Sequence, residues 1–251
     1  MSFQQSFLLV LRLQVRLFSL TRRLMWLALL WVLLLVALVL SALGTSGSDA
    51  ERVQLFAFYV GAAPLGFLGA FSALLMSNAV FADDAENGMA PYLLSRPVPR
   101  SAILLGRSLP LWLIINVPAF LCALVLGAIA GFAPVMPGLL ALIPLSLAAS
   151  ALYLGLFVAL TLAVKRALVA GFAFIVLVEL LLGALPLRIA WVSPRYHLMS
   201  LWSTAAGGQD LLQHSAIQMK STSLVTSLIF VASMTLFVWL FAASRLQKEE
   251  V

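Results

Sequence analysis

The chain has 251 residues, 63% of them hydrophobic and only 10% charged. A soluble domain carries about a quarter charged residues, so this composition excludes an ordinary globular protein and points to a membrane domain. That domain should be all-α, because alternating polar and apolar strands are absent, and the net charge of +6 belongs to lysines and arginines that flank apolar runs, which makes them topology anchors rather than a nucleic-acid surface.

Residues 1–23 read as an amphipathic helix. Gln5, Arg12, Arg16, Ser19 and Arg23 form one polar stripe, with Phe7, Leu11, Val15 and Phe18 away from it. A basic stripe on an apolar helix describes a segment lying in the membrane interface. Residues 24–251 read as a single membrane domain of six spans. The first is expected over Leu24–Leu43 and the second over Val53–Phe81, with Pro64 and three glycines inside it. The third covers Ser108–Ala130, with Ser101 as a candidate N-cap for the helix leading into it. The fourth covers Leu139–Val164, the fifth Ala167–Leu185 and the last Ser223–Ala243.

Segment 186–222, before the last span, is mixed in character and carries Trp191, Tyr196 and Trp202, aromatics suited to a membrane–water boundary. It reads as an outer loop with re-entrant helical pieces. An even number of crossings puts both termini on one side. That side receives Arg12, Arg16, Arg22, Arg23, Arg96, Arg100, Arg107, Lys165, Arg166, Arg245 and Lys248; the other receives Arg52, Arg188, Arg195 and Lys220. The bias predicts cytoplasmic termini in an inner, or cytoplasmic, membrane.

Segment 82–107 is the least apolar connector. Asp83, Asp84 and Glu86 suggest a magnesium–diphosphate enzyme such as an intramembrane prenyl or lipid transferase, but no second acidic cluster exists to complete a metal site. There is no nucleophile elbow, no zinc-protease helix and no phosphate loop, so the chain is not expected to be an enzyme or to bind ATP in that way. The connector reads better as a handle. Asp83 and Asp84 can open a short helix that Gly88 ends, Tyr92, Leu93 and Leu94 can enter a groove, and the prolines of "RPVPR" stiffen the chain.

Glu86, Gly88, Leu93-Leu94, Pro97, Arg100 and Leu105-Gly106 together resemble the permease subunits of type-2 ATP-binding-cassette (ABC) transporters. Met89 stands where that family has Thr, and Arg107 where it has Lys. The "SRPVPR" and "LLGR" forms are similar to the nitrous-oxide-reductase maturation permease group. The resemblance implies a dimer with a second or homologous permease, docked on cytoplasmic ABC ATPase subunits. ATP and Mg would then belong to those partners and no cofactor to this chain. It implies ATP-driven export, with Asp83, Asp84, Glu86, Gly88, Tyr92, Leu93, Leu94, Pro97, Arg100, Gly106 and Arg107 as the coupling set. A scaffold that moves nothing is the other alternative to an enzyme.

Two features stand outside the connector. Glu179 lies in the fifth span, where a charged carboxylate costs about 2.5–3.5 kcal/mol; it is expected to line the path or a helix contact, or else to be neutral and bonded to a nearby backbone group or hydroxyl. His197, Met199, His214 and Met219 carry ligand types suited to copper(I), but their spacing matches no recognised cluster, so no metal is assigned.

Overall fold

The computed structural model describes residues 3–18, 22–44, 49–82, 99–182, 188–206 and 223–248. Among these residues every regular element is helical, as the composition predicts. In chain order they are α1 (Phe3–Phe18), α2 (Arg22–Gly44), α3 (Asp49–Ala62) and α4 (Phe67–Ser77), which continues as a π turn over Asn78–Ala82. Then come α5 (Arg100–Ala130), α6 (Met136–Ala163), and α7 (Ala167–Phe174) with a π segment over Ile175–Leu182. A 3-10 turn (Arg188–Val192), α8 (Pro194–Ala205) and α9 (Leu224–Lys248) complete the set.

Among the described residues three helices are long and apolar enough to cross a membrane: Arg100–Ala130, Met136–Ala163 and Leu224–Gln247. Met25–Ser41, Phe67–Phe81 and Ala167–Leu182 are shorter apolar helices. Large apolar side chains point outward on several of them, including Leu113, Val117 and Leu121 on α5 and Ile229, Leu236 and Phe237 on α9. Water would not tolerate apolar surface on this scale. The fold is therefore that of a helical membrane protein.

The expected second span is broken in the middle. Pro64 interrupts α3 from α4, and the amide of Leu65 reaches back to the carbonyl of Val60 (3.2 Å) to bridge the gap. The expected N-cap at Ser101 is not used: α5 starts at Arg100 with Pro99 as its N-cap, in extended geometry (φ −57°, ψ 128°). A proline there is preset for entry into the helix and has no N–H to leave unsatisfied. At the other end of α5, Gly131 takes a left-handed C-cap (φ 84°) that hands the chain to the turn before α6. The last helix runs past its expected end into the polar tail, to Lys248.

α6 is the centre of the bundle. It touches α4, α5, α7, α8 and α9, and its apolar residues face every direction. Three indole N–H groups donate to its backbone from three different helices: Trp202 to the Gly138 carbonyl (2.9 Å), Trp112 to Leu147 (3.0 Å) and Trp239 to Ala151 (3.0 Å). A fourth, Trp31, ties α2 to Ser72 on α4 (3.2 Å). In the core Asn116 links α5 to α6: its amide donates to Ser150 (2.7 Å) and its carbonyl accepts from Ser146 (2.8 Å). Between apolar helices such bonds supply specificity that apolar packing alone does not.

Candidate functional site

Two polar regions stand out in this apolar bundle. The first surrounds the opening turns of α5, where the connector rejoins the bundle. The last carbonyls of any helix lack intrahelical partners and carry a partial negative charge. Two arginines on one face of α5 serve two such ends. Arg100 donates through Nη1 to the carbonyls of Leu246 (2.8 Å) and Gln247 (2.7 Å), capping α9. Arg107, buried two turns on, donates to the carbonyl of Val80 (3.4 Å) in the π turn that ends α4.

Between them Gly106 lets a third element in. A Cβ added there would lie 3.0 Å from Val10 Cγ1 and 3.4 Å from the Phe7 carbonyl, so α1 rests directly on the α5 backbone. The face of α1 turned inward is Ser6, Val10 and Gln14, all buried, while Arg12 and Val15 are exposed. The buried face is Ser6, Val10 and Gln14 rather than the one with Val15, because the glycine groove that receives Val10 belongs to another helix.

Arg100, Gly106 and Arg107 are thus brought together at one end of the bundle with α1, the end of α4 and the end of α9. The other coupling residues, Asp83, Asp84, Glu86, Gly88, Tyr92, Leu93, Leu94 and Pro97, lie outside the described residues.

The second region is built around Glu179, fully buried in the π segment that prolongs α7. Its Oε2 accepts from the Ser193 hydroxyl (2.9 Å) and from the Arg195 backbone N–H (3.3 Å). Ser193 is the N-cap of α8 and Pro194 its first residue. Glu179 therefore caps α8 from a different helix, where the helix dipole favours a carboxyl group. This identifies the hydroxyl and backbone partners expected for a buried acid.

Tyr153 of α6 and Arg195 of α8 also act on Glu179. Tyr153 interacts with Glu179 through its hydroxyl without reaching full hydrogen-bond geometry, and Arg195 Nε is buried without a partner. Tyr153 carried no sequence signal. It is one aromatic in a long apolar run, and only the fold brings it to Glu179.

One turn further along α8, His197 is stacked on Phe230 with ring centroids 4.0 Å apart. Its Nδ1 meets the Ser227 hydroxyl (3.2 Å) and its Nε2 the Trp191 carbonyl (2.9 Å). Burial pushes the imidazole below its ordinary range, and the bond to Trp191 opposes that shift. Both ring nitrogens are used within the protein, and Met199 is buried in the core, so this pair offers no metal site as it stands. Among the described residues no group of three or more His, Cys, Asp or Glu side chains is placed to hold a metal ion; His214 and Met219 lie outside them. No protein-family model matches the chain, and no curated protein matches it.

Proposed function

We propose that this chain is the membrane-spanning permease subunit of an ATP-driven transporter, an exporter that receives its power stroke from separate cytoplasmic ATPase subunits through segment 82–107. In this reading α2, α3 with α4, α5, α6, α7 with its π segment, and α9 make six crossings. α1 lies in the interface, both termini are cytoplasmic, and a second permease copy or a homologous one completes the path. The observation that carries it is the convergence at the start of α5. Arg100 and Arg107 bond to the ends of α9 and α4, and Gly106 seats α1. A force applied to the connector at that point would reach three elements at once, which is what a two-state membrane element driven from outside requires. The connector motif and the Lys/Arg bias agree with it.

The test is co-purification from native membranes, with the ATPase rate as second readout. The wild-type chain is expected to bring an ATPase subunit with it. Tyr92→Ala with Leu93→Ala is expected to release that subunit while the bundle stays folded, since truncating a buried anchor costs about 2 kcal/mol or more, roughly thirtyfold in affinity. A well-folded double variant that keeps full binding and stimulation refutes the coupling role. Catalytic turnover of a prenyl or lipid substrate by the lone chain refutes the transporter reading altogether.

A further inference from the structure

The Glu179 centre carries an inference that does not depend on the transporter reading. Three polar atoms from three elements are buried there without a well-formed hydrogen bond: Oε1 of Glu179 from the π segment, Oη of Tyr153 from α6, which interacts with Glu179, and Nε of Arg195 from α8. Tyr153 and Glu179 are fully buried, and Arg195 is 9% exposed. The other carboxyl oxygen is already supplied by Ser193 and the Arg195 backbone. An ionised Glu179 in this apolar setting would draw the neighbouring guanidinium into a direct pair. Instead Arg195 stands with its Nε unused.

We propose that Glu179 is a proton-binding site with two states. In the state seen here the carboxyl group is neutral, with its proton on Oε1 directed to the Tyr153 hydroxyl oxygen. When that proton leaves to water, Oε1 becomes anionic and takes the Nε–H of Arg195, which swings in as counter-ion. Ser193 and the Arg195 amide hold Oε2 in both states. Tyr153 and Arg195 are the titratable groups acting on Glu179; His197, on the same helix as Arg195, is turned to Trp191 and Ser227. Because Arg195 belongs to the first turn of α8, loss of one proton re-aims a side chain at the entry of that helix.

Infrared spectroscopy of the purified protein in detergent tests this, with helix content and monodispersity checked for each variant. The wild type is expected to show a protonated-carboxyl C=O band at neutral pH that downshifts in heavy water and is absent in Glu179→Gln. Tyr153→Phe should shift the band, because the proton loses its acceptor. Arg195→Gln should raise the pH at which the band disappears by about one unit or more, tenfold in proton affinity, because the counter-ion of the ionised state is gone. Should Glu179→Gln fail to fold, the wild type and Tyr153→Phe labelled with 13C-glutamate carry the same comparison. Absence of a Glu179 band from mildly acidic to neutral pH overturns the proton site. A band indifferent to both Tyr153→Phe and Arg195→Gln overturns the switch.

Discussion

Replacing Arg100 by alanine should loosen the end of α9 without unfolding the bundle. The guanidinium makes two bonds there, at 2.8 Å to Leu246 and 2.7 Å to Gln247. Their values differ because their surroundings differ. Leu246 is buried while Gln247 is exposed, so water replaces the second bond at little cost and the first dominates. A hydrogen bond to a charged group contributes about 1.5–3 kcal/mol, and a cation at a helix C-terminus adds about 0.3–1 kcal/mol. Arg100 is half-buried, which keeps the total near the low end, at about 2 kcal/mol, or roughly thirtyfold in a local opening equilibrium.

Hydrogen–deuterium exchange read by mass spectrometry is the assay. Amides of residues 241–248 should lose up to about thirtyfold of their protection, while peptides from the middle of α6 stay unchanged. Arg100→Lys should recover part of the loss, since an ammonium keeps the charge but not the planar fork. Equal exchange at 241–248 in the wild type and Arg100→Ala would refute the cap. Loss of protection spread evenly over the bundle would refute its local character.

Asn116→Val should cost about 1–3 kcal/mol in detergent unfolding, because two interhelical bonds at about 0.6 kcal/mol or more each are lost and Ser146 is left without its acceptor; an unchanged midpoint would count against the α5–α6 clamp. Gly106→Leu should displace α1, since its Cβ would already crowd Val10 at 3.0 Å, at a cost of about 1–3 kcal/mol; a cysteine at position 10 that stays as protected from labelling in Gly106→Leu as in the parent would contradict this. His197 sets an acid limit. Its folded-state value is depressed by burial, so its contribution is intact above the ordinary imidazole range, about 6.5, and is lost as pH falls through the depressed value. His197→Gln should flatten that limb of the stability–pH curve, and an identical limb in both proteins would sink the argument. A reporter enzyme active only outside the cytoplasm, fused after Val251, should be silent; strong activity would refute the proposed six crossings.

Hydrophobic runs made most helices legible, because a helix that must face lipid is apolar over its whole length whatever it packs against. The expected end of the third span at Ala130 is also where α5 ends. The polar contacts were not legible. Asn116 finds Ser146 and Ser150 across 30 and 34 residues, and Glu179 finds Ser193 across 14; no periodicity links such pairs, since each depends on how two helices are rotated. Arg100 and Arg107 illustrate the intermediate case. Their charge and position drew them into the coupling set, but the helix ends they cap could be recognised only once the bundle brought those ends to α5.

The indoles that fasten α6 also divide the protein's fluorescence into two classes. Trp31 and Trp202 are 1% and 0% exposed, and Trp112 and Trp239 are half-buried with their N–H groups spent on carbonyl oxygens. Trp26 and Trp191, by contrast, are 61% and 51% exposed. Trp26 opens α2 next to its arginines, and Trp191 sits in the turn before α8. In lipid bilayers a quencher carried at a chosen depth on the acyl chains, or one confined to water on one side, would report mainly on these two. The chain therefore contains its own pair of depth gauges, one at the entry to its first apolar helix and one beside the Glu179 centre. Movement of α8 relative to the bilayer can be followed through Trp191 without attaching a label.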